Sequence, residues 1–243
     1  MKKYTAVILL ALGFISYNGQ SQIKLNNLGL GVSYWERSYS GVDERAFLAN
    51  YEGEGDFKQG AAMPFVSAEL NLWKSIALDG RVGVWSADYE SVQSFGNGLT
   101  IAEKMEQTII PVSVGLVYRG SDLIATNFDF FAGVGINRYF IQNKVSREVS
   151  GGTGSISPET FSGNNYGVNF KAGLEYYFSD KLGVALEGRY NTGTYNQNYR
   201  ANQDGPIVNN EVSIQGPEVG LSLKYRFGYE KPEITKESEP FVQ

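Results

Sequence analysis

Hydrophobic and polar residues alternate with a period of two along most of the chain. Between 166 and 178 the even positions read Tyr166, Val168, Phe170, Ala172, Leu174, Tyr176 and Phe178, and the odd ones Gly167, Asn169, Lys171, Gly173, Glu175 and Tyr177. Successive side chains of an extended strand point to opposite faces, so this segment predicts a strand with one apolar face and one face of glycine and charge. The same alternation recurs at 28–34, 66–72, 76–84, 110–118, 128–136, 182–190 and 219–227, which makes eight predicted strands. The longest apolar stretches, 108–118 and 128–136, reach about half of the roughly 20 residues that a membrane-crossing helix needs. Ser, Gly and Pro interrupt them.

The connections alternate in length. Short links are expected at 73–75, 120–125 and 179–181, and long polar ones at 36–59, 93–104, 142–163 and 196–210. All short turns then fall on one rim and all long loops on the other, the layout of an outer-membrane barrel with an even strand number. The fold expected is all-β, an eight-stranded antiparallel up-and-down transmembrane β-barrel. A soluble eight-stranded barrel would show the same alternation with its apolar face turned inward around a ligand. Glycine favours the membrane reading: Gly29, Gly31, Gly83, Gly115, Gly133, Gly135, Gly167, Gly173, Gly183 and Gly220 all share the polar face. Glycine on a solvated face only weakens a strand, whereas in a narrow lumen it makes room for large side chains opposite.

Aromatic residues of the apolar face gather at its two ends. Tyr118, Phe128, Tyr176, Phe178, Tyr225 and Phe227 lie toward the short-turn rim, and Tyr34, Tyr166 and Tyr190 toward the long-loop rim. Two girdles at membrane–water interfaces would place them so, since a ring with a polar tip suits a boundary between apolar and wet. On the polar face Glu69, Asp79, Asp129, Glu175, Glu187 and Glu218 are matched by Arg81, Arg119, Lys171, Arg189, Lys224 and Arg226. Eight strands enclose only enough space for side chains. These charges therefore predict a balanced network plugging the lumen, with Phe65 and Trp85 beside it, because buried charges persist only when paired. A gated ion path or a pair of catalytic carboxylates would need an acid left unmatched.

Composition removes most chemistry. The 243 residues include no Cys and no His, so imidazole-based triads, thiolate nucleophiles, Cys/His metal sites and disulfides are excluded. No cofactor, metal or catalytic residue is expected. The acidic loop residues Asp43, Glu44, Glu52, Glu54 and Asp56 lack a fixed calcium-ligand spacing and read as a solvated face. The formal charge of −5, with no basic run, argues against nucleic acid as a partner.

Both ends of the chain differ from its middle. Lys2 and Lys3, an apolar stretch at 6–14 and small residues at 19 and 21 read as a secretory leader, with cleavage after Ser21. Residues 22–228 form the barrel, and the charged, Pro-punctuated segment 229–243 is expected to be a short disordered periplasmic tail.

Eight amphipathic strands, a Gly-lined charged lumen, long loops on one rim and a last strand, Gly220-Leu-Ser-Leu-Lys-Tyr-Arg-Phe227, that ends on an aromatic residue together carry a resemblance. Over about residues 25–228 the chain resembles the small bacterial outer-membrane β-barrel family that includes the OmpA transmembrane domain, OmpX, OmpW and the opacity proteins. The resemblance implies a bacterial outer-membrane location with both termini periplasmic and outer-membrane lipid and lipopolysaccharide around the belt. It also implies insertion by the barrel assembly machinery, which would read the last strand. Phe227 is not terminal, a departure from that pattern. The function expected is a structural or interaction role, with loops bearing Trp35, Tyr39, Tyr51, Tyr195 and Tyr199 contacting an extracellular ligand. Alternatives are a subunit of a secretion or assembly complex resembling the PorT-like barrels, with Phe241 and Val242 docking a periplasmic partner, or a narrow pore for small hydrophobic solutes. A barrel hydrolase or lipid A-modifying enzyme is disfavoured by the lack of His.

Overall fold

The computed structural model describes residues 24–37, 54–57, 59–95, 98–121, 127–151, 156–199 and 206–227. The expected leader and tail, Tyr39, Tyr51 and the acidic residues Asp43, Glu44 and Glu52 lie outside them. The strands in chain order are β1 (Lys24–Glu36), β2 (Glu54–Phe57), β3 (Gly60–Trp73), β4 (Ile76–Gly83), β5 (Trp85–Ser94), β6 (Thr100–Ser121), β7 (Phe128–Ser150), β8 (Ile156–Tyr177), β9 (Leu182–Asn191), β10 (Thr194–Tyr199), β11 (Val208–Ser213) and β12 (Gly216–Arg226).

Pairing closes them into a ring. The order β6-β4-β3-β1-β12-β9-β8-β7 returns to β6 through the β6–β7 pair, and every pairing is antiparallel. β5 resumes β4 after a break at Val84 and pairs with the upper part of β6, from Trp85↔Ile109 to Ser94↔Thr100. β10 and β11 prolong β9 and β12 as a two-stranded ribbon, and β2 adds to the edge of β5. The eight expected strands are thus all present, and in up-and-down order.

Their length departs from expectation. β6, β7 and β8 run for 22, 23 and 22 residues, through most of what read as polar loops at 93–104 and 142–163. The hairpins close only at the tips, where Gly98 and Gly151 take φ of 81° and 85°, a conformation that side-chain-bearing residues rarely adopt. The short rim closes sooner: β3 and β4 are joined through Lys74, whose ammonium lies 5.1 Å from the centroid of the Trp73 ring.

Apart from bulges at Leu25/Asn27 in β1 and Asn71/Trp73 in β3 and a register shift beside Val145/Arg147 in the β7–β8 pair, each strand keeps its parity, but its outer face changes from apolar to polar. On β7 the outward residues run Phe128, Phe130, Ala132, Val134, Ile136, Arg138 and Phe140, and then Gln142, Lys144, Ser146 and Glu148. Inward residues run from Asp129, Phe131 and Asn137 to Tyr139, Ile141 and Val145, with Asn143 and Arg147 among the upper ones. β4–β5, β6 and β8 switch at the same level, near Val84, Ile110 and Tyr166. Below that level Leu30, Ile136 and Leu221 are 65%, 61% and 60% exposed on the outer face, an apolar band far larger than a water-soluble monomer presents. Its height on β7, from Phe128 to Phe140, is roughly 25–30 Å at the usual strand rise and tilt, which matches a hydrocarbon layer. Above it the outer face is polar, and within lies an apolar cluster interspersed with buried polar residues such as Gln107, Asn143 and Arg147. The two arrangements that the sequence set against each other both occur, one stacked on the other.

Candidate functional site

Inward side chains stand in layers across the interior. Glycine makes this possible by letting rings cross the lumen: a Cβ at Gly31 would stand 2.7 Å from Phe65 Cζ, and one at Gly183 2.7 Å from Tyr177 Cδ1.

The lower layers hold the charges. At the short-turn end Arg226 donates to Asp129 Oδ2 at 2.5 Å, with its guanidinium 3.4 Å from the Tyr177 ring centroid. Arg119 is clamped between two acids, donating through Nη2 to Glu69 Oε2 at 2.6 Å and through Nη1 and Nη2 to Glu175 at 2.7 and 3.0 Å. Glu175 also accepts from the Tyr177 hydroxyl at 2.9 Å and faces Lys224 Nζ at 3.7 Å, while Glu69 accepts from Asn26 Nδ2 at 2.5 Å. One level up, Lys171 pairs with Asp79. Arg81 donates to Glu187 at 3.0 Å and Glu218 at 2.5 Å while stacking 3.6 Å from the Phe65 ring centroid. Arg189 reaches the same Glu187 at 3.2 Å and donates to Ser113 Oγ at 2.9 Å.

The structure therefore brings all twelve of the sequence-selected charges into one lumen, each within ion-pair distance of another of the set. The girdle aromatics sit on the outer face: Tyr34, Tyr118, Tyr166, Tyr176, Phe178, Tyr190, Tyr225 and Phe227 are exposed, and Phe128 is half-buried against Tyr176, with ring centroids 4.8 Å apart.

Two further layers were not foreseen. The first is an amide ladder: Asn169 Nδ2 donates to Asn137 Oδ1 at 2.6 Å, Asn137 Nδ2 to Asn191 Oδ1 at 2.9 Å, and Asn191 Nδ2 to Glu218 Oε2 at 2.8 Å. Three asparagines at inward positions of adjacent strands were the available signal. Beside this ladder a cavity of about 10 Å³, lined by Met63, Arg81, Ser113 and Arg189 among others, has room for about one water molecule.

The second is an aromatic storey around Trp35, Met63, Trp85, Ile109, Tyr139, Tyr195 and Ile214, all buried. Trp35 stands edge-on to Trp85 with centroids 6.0 Å apart and stacks on Tyr139 at 6.1 Å, and Trp85 Nε1 donates to the Trp35 carbonyl at 3.2 Å. Gln107 is its polar hub: its carbonyl accepts from Arg37 and from the Tyr89 hydroxyl, and its amide donates to Tyr195 Oη at 2.7 Å. Burial pushes the Tyr195 phenol above its ordinary value. A buried Arg147–Glu103 pair at 2.7 Å follows toward the tips.

This storey corrects one expectation. Trp35 and Tyr195, read as loop residues facing the exterior, are buried here, because β1 still points Trp35 inward and the 196–210 loop begins as a strand. Among the described residues no group of three or more acidic side chains could hold a metal ion.

The sequence matches the family model of the outer membrane protein beta-barrel domain over residues 7–227. No curated protein sequence matches it. Among solved structures it is similar to OprG from Pseudomonas aeruginosa, with TM-score 0.54 and 9% identity over 84% of this chain and 97% of that one. Neisserial surface protein A gives TM-score 0.47 and 11% identity over 83% and 96%. A major outer membrane protein from Thermus thermophilus gives 0.45 and 13% over 83% and 99%. At such identities the likeness is one of fold. The family match spans every described residue, and with the closed ring and its outward apolar band it identifies the chain as a member of the outer membrane protein beta-barrel domain family, a barrel of the bacterial outer membrane.

Proposed function

We propose that this protein is a closed, non-catalytic interaction barrel whose long hairpins project from the cell surface, with both termini on the periplasmic side. The observation that carries the reading is the reversal of polarity above Val84, Ile110, Phe140 and Tyr166. A chain that only had to cross the membrane would turn back at that level. This one continues from Phe140 to Ser150, roughly 25 Å further at the usual rise and tilt, around a core of its own. That core makes the projecting wall rigid, and a rigid wall presents side chains to a partner without the ordering cost of a loose loop. The wall is charged: Lys104 lies 3.6–3.9 Å from carboxylates of Asp88, Glu90 and Glu106, and Lys144 lies 3.5 Å from Glu106. Such exposed pairs add little stability, so their value lies in what they display.

The absence of native Cys allows single-cysteine labelling in intact cells to test the orientation. Lys144→Cys on the wall is expected to react with a membrane-impermeant maleimide in whole cells, and Lys181→Cys at a short turn only after lysis. Reversed accessibility would overturn the reading.

The filled lumen supports a closed barrel. In planar bilayers the purified protein is expected to show no steady conductance, since the charged layers and the aromatic storey lie in series along the lumen. Reproducible open channels from single molecules would replace the interaction reading with that of a pore.

A further inference from the structure

Arg138 interrupts the apolar outer face of β7. It lies between Ile136 and Phe140, which are both exposed there, and strand parity turns it outward with them. Arg81, Arg119, Arg147, Arg189 and Arg226 face the interior, and each meets a carboxylate. Arg138 takes part in none of the ion pairs among the described residues.

Its guanidinium is nevertheless held. The Cζ atom lies 4.2 Å from the centroid of the Tyr166 ring and 5.7 Å from that of Phe140, and Nη2 donates to Asn164 Oδ1 at 2.6 Å. In the β7–β8 register Arg138 stands opposite Tyr166, and Phe140 opposite Asn164. The side chain therefore climbs one pair toward the long hairpins, to the level where the outward residues become Gln142, Ser162 and Asn164. A cation on a lipid-facing wall is costly unless it reaches the interface, and this one reaches it without a counter-charge. A planar guanidinium that spends Nη2 on Asn164 keeps further donors, and its fork geometry suits the oxygens of a phosphate.

We propose that Arg138 docks the phosphate of a phosphorylated glycolipid in the surrounding leaflet, with Tyr166 and Asn164 as positioning residues. The uncharged hydrogen-bonding groups of Asn164, Ser162 and Gln142 beside it suit sugar hydroxyls and favour a glycolipid over a phospholipid. The glycolipid assignment rests on the outward orientation of the long hairpins proposed above. The phosphate contact does not.

Native mass spectrometry of the folded full chain in detergent, titrated with bis-phosphorylated lipid A, dephosphorylated lipid A or phosphatidylglycerol, separates these points without reference to orientation. Wild type is expected to retain bis-phosphorylated lipid A preferentially. Arg138→Gln should weaken that binding roughly tenfold, the weight of one charge-assisted contact, and bring it to the level of the dephosphorylated form. Asn164→Ala, which leaves the charge but frees the side chain, should fall between, with heat-dependent gel mobility confirming that both variants fold. Equal binding of bis-phosphorylated lipid A by wild type and Arg138→Gln would overturn the phosphate contact. Phosphatidylglycerol bound as tightly as lipid A would overturn the glycolipid assignment.

Discussion

Replacing Arg119 with Met is expected to destabilise the barrel by about 3–5 kcal/mol, the cost of leaving buried charge without its partner. Arg119 touches two acids in the lowest charged layers, Glu69 and Glu175, and Met keeps much of its length without its charge. The two acids do not suffer equally. Glu175 retains Lys224 at 3.7 Å and the Tyr177 hydroxyl at 2.9 Å, whereas Glu69 is left with the neutral amide of Asn26. Adding Glu69→Gln to Arg119→Met should therefore restore more stability than adding Glu175→Gln, which would strand Lys224 in turn. Urea unfolding in lipid vesicles, followed by tryptophan fluorescence and by gel mobility without heating, measures both steps. Equal rescue by the two second substitutions would mean that the charges act as a diffuse field and not as the pairs seen here.

The barrel was legible because burial on one face and lipid on the other impose a strict period of two. The segment from Tyr166 to Phe178 carries it, and parity alone selects the twelve charged positions of the inner face. Partner choice did not follow. Pairing Arg81 with both Glu187 and Glu218, or Lys171 with Asp79, depends on strand stagger and on which cation is long enough to cross the lumen.

The projecting half was misread for a physical reason. In 103–109 the inward positions are Glu103, Met105, Gln107 and Ile109, and the outward ones Lys104, Glu106 and Thr108. Polar residues appear on both faces, so the alternation fades and the segment resembles a loop. The inward polar groups are satisfied by partners remote in sequence, Arg147 for Glu103 and Arg37 and Tyr195 for Gln107, which a single strand cannot reveal. Trp85 was assigned inward correctly, but its companions Trp35, Tyr139 and Tyr195 belong to three other strands, and only the closed ring brings them together.

Trp85→Ala tests whether the two storeys are separate units, and it is expected to cost about 3–5 kcal/mol, as for other large aromatic residues truncated in a packed core. The ring is fully buried, stands edge-on to Trp35, carries the Arg37 guanidinium 5.0 Å from its centroid, and donates to the Trp35 carbonyl. Its loss leaves a void just above the cavity beside Met63 and Arg81, at the junction of the aromatic and charged layers. The charged layers below keep all their partners, so the loss should fall on the upper half. Hydrogen exchange in detergent micelles is expected to speed up in the upper parts of β5, β6 and β7, around 85–94, 100–109 and 139–150, while 112–118 and 128–136 stay protected. Planar bilayers should still show no conductance, because the ion-paired layers continue to fill the lumen. Uniform acceleration through both halves would show that the barrel unfolds as one cooperative unit and that the aromatic storey is a continuation of the transmembrane core. Channels opened by this substitution alone would place the barrier to ions in the aromatic layer and leave the charged layers as a permeable path.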